Sequence, residues 1–131
     1  MIEIKPYIDH AVLVGLITPN QPEDRTKEYL DELAFLADTH GIVPIKRFTQ
    51  RLPQPHTATY VGEGKLEEIR QFIIDKEQQN EADDSIAKVD LVVFDDELSP
   101  RQIRNLEKAI NRRDKHPACN WQKIWYNGYD I

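Results

Sequence analysis

Three apolar runs alternate with three amphipathic stretches along the chain. The first run, AVLVGLIT at residues 11–18, is continuous and rich in β-branched residues, which is typical of a strand buried on both faces. IVPIKRFT at residues 42–49 and VDLVVF at residues 89–94 predict the second and third strands. Pro44 near the start of the second run indicates an edge strand or a bulge, because proline donates no ladder hydrogen bond.

Each predicted strand is followed by apolar residues at helical spacing. Pro22 opens the first helix, whose first turn is acidic, and Gly41 supplies its end. The second helix follows a GEGK turn at residues 62–65. The polar and acidic residues 77–85 after it predict a surface loop.

The start of the third helix is the best-specified point of the sequence. Ser99 is a favoured N-cap, Pro100 occupies the first helical position, and Gln102 completes an S-x-x-Q capping box. Leu98 and Ile103 are spaced for a hydrophobic staple around that box. The sequence therefore predicts a helix that begins at Pro100.

The order β-α-β-α-β-α predicts an α/β fold, a small unit with a mainly parallel sheet flanked by helices. Three strands are few for such a sheet, and a fourth is expected after Arg113. The composition changes there, because residues 114–131 hold both tryptophans, two of the five tyrosines and the lone Cys119. We therefore predict an α/β domain over residues 1–113 and a divergent tail over residues 114–131 that lacks the fourth strand.

Composition places the chain among soluble globular proteins. It has 131 residues, of which 40% are hydrophobic and 31% charged, with a formal net charge of −6. No apolar run approaches membrane-spanning length, and the N-terminus lacks the basic start and apolar core of a signal peptide. Because Cys119 has no cysteine partner and no N-x-S/T acceptor occurs, we predict a cytoplasmic protein with no membrane partner.

Basic residues concentrate in one segment although the whole chain is acidic. Residues 46–65 hold four basic side chains and one acid, Glu63, whereas residues 75–84 hold five acids and one lysine. The four basic residues are Lys46, Arg47, Arg51 and Lys65. They are candidates for contacts with RNA phosphates, and an equally weighted alternative is that they are solvated surface groups.

The GEGK turn opens a helix and matches a phosphate-binding loop only in part. A Walker A loop aligned on Gly64 and Lys65 would need a glycine where Thr59 stands. It would also need a hydroxyl where Leu66 stands, so two of its four fixed positions fail. An anion-binding turn formed by Gly62, Gly64 and Lys65 is one alternative, and a tight turn that needs glycine for its backbone geometry is the other.

No catalytic or metal-binding constellation is found in the sequence. The four histidines show no pair at helical metal-ligand spacing, and no G-x-S-x-G motif occurs. Asp95 and Asp96 follow the third predicted strand, at the edge where α/β sheets bind ligands. They could hold magnesium, but acidic groups placed beside the next helix N-terminus are the favoured interpretation. We therefore predict no catalytic residue and no metal site.

Three segments together resemble the N-terminal domain of the HflX family of ribosome-associated GTPases. AVLVGL at residues 11–16 precedes an acidic helix with DEL at residues 31–33, and TYVGEGKLEEI follows at residues 59–69. The most specific segment is VVFDDELSPRQIRNLE at residues 92–107, with its acidic strand end, LSP and QIRNLE. The resemblance covers about residues 10–110.

The resemblance implies a domain that precedes a helical arm and a GTPase domain, in a protein that binds the large ribosomal subunit and splits or rescues ribosomes. GTP and magnesium would belong to the GTPase domain, so we predict that this chain is not itself an enzyme and holds no cofactor. The partners implied are the large ribosomal subunit and ribosomal RNA, and no DNA. We expect the tail to reflect a truncated or frameshifted reading frame or an isolated domain, with a specialised terminus as the alternative.

Three functional hypotheses follow from these residues and the resemblance, and one of them is a fragment that folds but has no function because its tail lacks the fourth strand. The preferred one is a binding domain whose basic segment contacts ribosomal RNA, with Arg101 and Arg104 as secondary candidates. The alternative is an ATP-binding, RNA-remodelling domain that uses the turn at residues 62–65, an activity that the resemblance also implies.

Overall fold

The structure, a computed structural model, describes residues 8–110 and 123–126, the last four by their backbone alone. Strands and helices alternate along the chain. They are β1 (Asp9–Ile17), α1 (Glu23–Thr39), β2 (Ile42–Arg51), α2 (Glu63–Ala82), β3 (Leu91–Phe94), α3 (Pro100–Ile110) and β4 (Lys123–Tyr126). All strands pair in parallel in the order β2-β1-β3-β4, which confirms the predicted α/β class.

Strand β1 is the centre of the core, and Ala11, Val12, Leu13 and Val14 are fully buried along it. Alternate side chains of a strand point to opposite faces of the sheet, so β1 feeds two apolar clusters. Val12 and Val14 join the cluster formed with α2 and α3, and Ala11 and Leu13 join the cluster formed with α1. The continuous apolar run seen in the sequence therefore serves both layers.

Strand β2 is an edge strand, and it also carries a bulge. Its register against β1 runs from Ala11 opposite Pro44 to Val12 opposite Lys46, so Ile45 is skipped. Proline is tolerated there because an edge strand has one unpaired side. The two features that Pro44 predicted are both present.

Two predicted helix ends are confirmed. Gly41 follows α1 with a φ of 75°, the left-handed conformation that glycine adopts at little cost, and its N–H donates to the Asp38 carbonyl. At the start of α3, the Ser99 hydroxyl accepts from the Gln102 N–H at 3.1 Å, and the Gln102 side chain accepts from the Ser99 N–H at 2.8 Å. The capping box therefore forms as the sequence predicts.

The predicted loop at residues 77–85 is wrong over most of its length, because α2 continues to Ala82. The segment EQQNEA at residues 77–82 is polar, which the prediction took for a loop. Glutamate, glutamine and alanine are good helix formers, and a solvent-facing helical end needs no apolar stripe. Asp83 caps the end of the helix, and its N–H donates to the Gln79 carbonyl.

The expectation that the segment after residue 113 lacks a fourth strand is also wrong. Lys123–Tyr126 pairs in parallel with β3, with Leu91 opposite Lys123 and Phe94 opposite Tyr126. The sequence KIWY is rich in β-branched and aromatic residues, which favour strands. Residues 111–122 lie outside the described residues, so the predicted domain boundary at residue 113 stays a prediction.

Over the described part of the chain, the helices are too short or too polar for any to cross a membrane.

Gly15 of β1 lies in close contact with helix α1 and with Asp95. A Cβ atom built there would lie 3.0 Å from Thr26 Cγ2, 3.1 Å from Leu30 Cδ1 and 3.2 Å from Asp95 Oδ2. All three neighbours are themselves buried, so none can move away freely.

We predict that Gly15→Ala lowers the free energy of unfolding by about 1–3 kcal/mol, because the extra methyl group overpacks this contact. Gly64→Ala is the matched control, since a Cβ at Gly64 in α2 would meet nothing within 4 Å. The control should raise stability by about 0.4–1 kcal/mol. Urea unfolding measures both effects, and equal stability of the two variants would contradict the assigned contact.

Candidate functional site

A buried polar cluster lies at the carboxyl ends of β1 and β3. From β1 the chain continues to β2 on one side of the sheet, and from β3 it continues to β4 on the other side. The cluster therefore lies at the topological switch point, where open α/β sheets bind ligands. Asp95 directly follows β3, is 4% exposed and lies at the centre of the cluster. Gln21, Thr26, Tyr60 and Asp95 are named the Asp95 cluster here.

The Asp95 carboxyl group accepts hydrogen bonds from three directions. The Tyr60 hydroxyl donates to Oδ1 at 2.5 Å, and the Gln21 amide donates to Oδ2 at 2.8 Å. The Leu16 backbone N–H donates to Oδ2 at 3.2 Å. The Gln21 amide and the Thr26 hydroxyl each also donate to the Leu16 carbonyl at 2.7 Å. The cluster therefore satisfies the polar groups of β1 where the strand nears its end.

Tyr60 reaches Asp95 from the loop between β2 and α2 through an unusual backbone conformation. Its φ is 68°, a left-handed value that costs a residue with a Cβ about 1–2 kcal/mol. The ring is buried and packs edge-on against Phe94, with centroids 5.5 Å apart. Burial of the ring and the bond to Asp95 offset the backbone cost.

Burial sets the protonation behaviour of the two acidic groups in the cluster. Burial raises the pKa of the Asp95 carboxyl, and the donors Tyr60, Gln21 and Leu16 lower it without cancelling that effect. Burial and then the nearby Asp95 raise the pKa of the Tyr60 hydroxyl, which stays a donor. The cluster is thus a network of filled hydrogen bonds rather than an acid–base pair aimed at a ligand.

Asp95 and Asp96 do not converge as a magnesium site would require. Asp95 is turned inward and is bonded, whereas Asp96 is exposed and accepts from the Glu97 N–H at 2.7 Å. Within residues 8–110, no three side chains of histidine, cysteine, aspartate or glutamate come together to hold a metal ion. The favoured interpretation of Asp95 as an acid beside a helix N-terminus is wrong too, because its partners are Tyr60, Gln21 and Leu16.

The loop before α2 is fastened to α3 by two side-chain amides. Gln102 Nε2 donates to the His56 carbonyl at 2.8 Å, and Asn105 Nδ2 donates to the Ala58 carbonyl at 2.9 Å. Gln102 also belongs to the capping box, so one residue caps the start of α3 and holds the loop. The segments that carry the HflX resemblance, at residues 59–69 and 92–107, therefore meet around this loop and the Asp95 cluster.

The turn at residues 62–65 is partly occupied by the protein itself. The Gly62 N–H donates to Gln50 Oε1 at 2.8 Å, and Lys65 Nζ lies 3.0 Å from Glu68 Oε2. The tight-turn explanation of its glycines is wrong, because Gly62 has a φ of −71° and Gly64 is helical. A Cβ at Gly62 would lie 3.0 Å from Gln50 Nε2, so a side chain there would require the Gln50 amide to shift.

The basic residues of β2 lie on both faces of the sheet rather than in one patch. Lys46 points toward α2, with Nζ 5.6 Å from the ring centroid of Phe48 and 6.0 Å from that of Phe72. Arg47, the next residue, points toward α1 because neighbouring side chains of a strand alternate. Lys46 and Arg47 therefore cannot contact the same flat surface.

The two arginines of β2 form ion pairs with α1. Arg47 Nη1 lies 2.8 Å from Asp31 Oδ1, and Arg51 Nη2 lies 3.1 Å from Glu23 Oε1. The Arg47 hydrogen bond, followed by that of Lys27, holds the pKa of Asp31 below its ordinary value. The acidic first helix thus offsets much of the charge of the basic segment.

Arg101 and Arg104 differ from the other candidates in having no such partner. Both are exposed on α3, and within the described residues neither forms a hydrogen bond, an ion pair or a cation–π contact. Among the described residues, four of the six candidates therefore have intramolecular partners and two have none.

The clefts on the described surface are shallow and hold no catalytic set. One of about 400 Å³ lies where β1 and β2 end, and its lining is mostly apolar. Arg51 is its only charged lining residue and is paired with Glu23.

Sequence reasoning missed Tyr60 and Gln21 as partners of Asp95, and Thr26 as a partner of Gln21 and Leu16. A usable signal was present, since an aspartate directly after a fully apolar strand is placed for burial and needs donors. The sequence does not say which donors, because Gln21 and Tyr60 lie 74 and 35 residues from Asp95.

Comparison with known proteins gives one consistent result. A family model described as "GTP-binding GTPase N-terminal" matches residues 27–114. A protein named GTPase HflX from Flavobacterium psychrophilum is 39% identical over 103 residues, which cover 79% of this chain and 22% of that protein. GTPase HflX from Lacrimispora saccharolytica is 35% identical over 113 residues, which cover 86% of this chain and 24% of that protein.

A third relative, GTPase HflX from Caldanaerobacter subterraneus, is 39% identical over 110 residues, covering 84% of this chain and 22% of that protein. The chain therefore spans less than a quarter of the length of these curated relatives.

We predict that Tyr60→Phe lowers the free energy of unfolding by about 1–3 kcal/mol, because Asp95 Oδ1 loses its donor while it stays buried. Tyr29→Phe is the control, since the Tyr29 hydroxyl has no hydrogen-bond partner within the described residues. Urea unfolding of both variants measures the difference. Equal losses would show that the Tyr60–Asp95 bond contributes nothing to stability.

A second prediction concerns pH. Because the pKa of Asp95 is higher in the folded chain than its ordinary 3.8, the folded chain binds this proton more tightly than the unfolded chain does. The contribution of Asp95 to stability is therefore fully present below pH 3.8 and declines as pH rises through the folded pKa.

Asp95→Asn cannot ionise and lacks this decline. We therefore expect the Asp95→Asn variant to be less stable than the native chain at acidic pH, because its side-chain NH2 group would face another donor, the Leu16 N–H. The difference in stability between the two chains should shrink as pH rises. Urea unfolding of both chains across the acidic range gives the deficit, and a deficit that grows with pH would contradict the sign.

Proposed function

The chain belongs to the HflX family of GTPases, whose N-terminal domain it matches, and from this we propose that it is the domain that binds the large ribosomal subunit through ribosomal RNA. Family membership carries the proposal, together with basic side chains that stay at the surface of an acidic protein. The domain acts in the cytoplasm, where ribosomes lie, and the splitting or rescue of ribosomes needs the whole GTPase.

The Asp95 cluster supports a binding role rather than a catalytic one. It fills the switch point of the sheet with protein side chains, at the place where an α/β enzyme would bind its substrate. The turn at residues 62–65 has one N–H bonded to Gln50 and its lysine paired with Glu68. We therefore propose that this chain hydrolyses no nucleotide and uses no cofactor of its own.

The binding contacts we propose are between basic side chains and RNA phosphates. The candidates are Lys46, Arg47, Arg51, Lys65, Arg101 and Arg104. The ion pairs of Arg47 and Arg51 leave 39% and 71% of their side chains exposed, and such surface pairs contribute only about 0–1 kcal/mol. A phosphate group can therefore replace Asp31 or Glu23 as a partner at little cost.

We predict that the 131-residue chain co-sediments with purified large ribosomal subunits at low salt and is released steeply as salt increases. The salt dependence follows from the counterions released when cations neutralise phosphates. Small subunits at the same concentration are the control and should retain less of the chain.

Two results would contradict the proposal. One is equal retention by both subunits, which would indicate nonspecific adsorption. The other is magnesium-dependent ATP hydrolysis that disappears in Lys65→Ala, which would favour the ATP-using alternative.

A further inference from the structure

Helix α3 carries a row of three cations that have no partner among residues 8–110. Arg101, Arg104 and Lys108 are all exposed, and their spacing of three and four residues places them on one side of the helix. Within residues 8–110, none of them forms an ion pair, a hydrogen bond or a cation–π contact. These three residues are named the α3 basic face here.

Most of the other basic side chains among residues 8–110 are engaged. Arg47, Arg51, Lys65 and Arg70 each pair with an acid, and Lys46 and Lys76 lie over phenylalanine rings. The only acid within α3 is Glu107, which is half-buried and lies beyond 4.0 Å from every described basic nitrogen. A local excess of positive charge therefore remains on α3, although the whole chain carries −6.

The backbone beneath the α3 basic face is held rigidly. The capping box fixes the first turn, and the opposite side of the helix is buried through Leu106 and Ile110, which are 0% and 1% exposed. Side chains displayed from a fixed backbone lose less freedom on binding than side chains on a mobile loop. The three cations are therefore preorganised for a ligand.

The spacing indicates what kind of ligand fits. At 1.5 Å per residue, the Cα atoms of Arg101 and Lys108 lie about 10 Å apart along the helix axis. The three cations therefore present a row of positive charge rather than a single point. A polymer whose negative charges repeat along a line can contact all three, and a nucleic-acid backbone is such a polymer.

The neighbouring polar side chains are not available to read bases. The amides of Gln102 and Asn105 already donate to the carbonyls of His56 and Ala58. Binding at this face should therefore depend on charge and helix shape and little on sequence, as is usual for double-stranded RNA.

We propose that the α3 basic face, including Lys108, is the main surface by which this domain contacts the phosphate backbone of double-stranded RNA. The inference rests on the proposed function, because ribosomal RNA is the polyanion that function supplies. The inference goes beyond the proposed function because it assigns RNA binding to α3 rather than to the basic segment at residues 46–65.

The test compares three variants that each lose three positive charges. R101Q/R104Q/K108Q removes the α3 basic face, K46Q/R47Q/R51Q removes the cations of β2, and R25Q/K27Q/K88Q removes cations elsewhere. Glutamine keeps helix propensity, so α3 should stay folded, and circular dichroism checks this. Binding of the full chain to a labelled RNA hairpin is measured by fluorescence anisotropy over a range of salt.

We expect the α3 variant to lose more than about tenfold in affinity at low salt and about three in the salt slope, roughly one per phosphate contact. The variant at Arg25, Lys27 and Lys88 should keep the native affinity, and the β2 variant should lose less than the α3 variant. Two hairpins of unrelated sequence should bind alike.

Several outcomes would overturn the assignment. A larger loss of RNA affinity in the β2 variant would place the binding surface on β2. Equal losses of affinity in all three variants would show that binding depends only on the total charge of the chain. Competition by polyglutamate as effective as that by RNA would indicate an acidic protein partner. An α3 variant that still co-sediments normally with large subunits would refute this inference alone, whereas a native chain that binds neither RNA nor subunits would refute the proposed function as well.

Discussion

The burial of one carboxyl group links most of the molecule. Asp95 is 4% exposed, and a buried acid must find donors or lose several kilocalories per mole of solvation. Its donors come from β1, from the turn before α1 and from the loop before α2, which lie 79, 74 and 35 residues away in sequence. Gly15 has no side chain because that space is taken by Thr26, Leu30 and Asp95 itself. The position of three separate segments thus depends on a single set of hydrogen bonds.

The same cluster decides where a ligand can bind. An open parallel sheet offers its switch point as a cleft, but here Tyr60 and Gln21 close it, and the loop that carries Tyr60 is fastened to α3 through Gln102 and Asn105. A domain that fills its own cleft in this way must meet partners with its outer surface. That constraint agrees with the binding role proposed above and does not favour chemistry within this domain.

Local features of the fold could be predicted from sequence, and long-range ones could not. Some residue types fix the backbone at their own position, so they could be interpreted from sequence alone. Pro44 indicated the edge bulge, Gly41 the end of α1, and the capping box of Ser99 and Gln102 the start of α3. The end of α2 was misjudged because a polar helix facing solvent has no apolar periodicity. The strand at Lys123–Tyr126 was missed because an altered composition was taken as loss of the strand, although KIWY keeps strand-forming residues. The partners of Asp95 depend on packing that no short pattern describes.

The distribution of surface charge is the clearest example of a feature that could not be predicted from sequence. Counting along the chain singles out residues 46–65 as the basic segment, yet folding places acidic α1 against β2 and pairs Arg47 with Asp31 and Arg51 with Glu23. Alternation along the strand then sends Lys46 to the opposite face. On α3 the helical repeat has the reverse effect, since it gathers three cations that are scattered in sequence onto one side. The charge available to a partner is therefore set by which acids the topology places nearby, and a run of basic residues is a poor guide to it in a chain where both signs are interspersed.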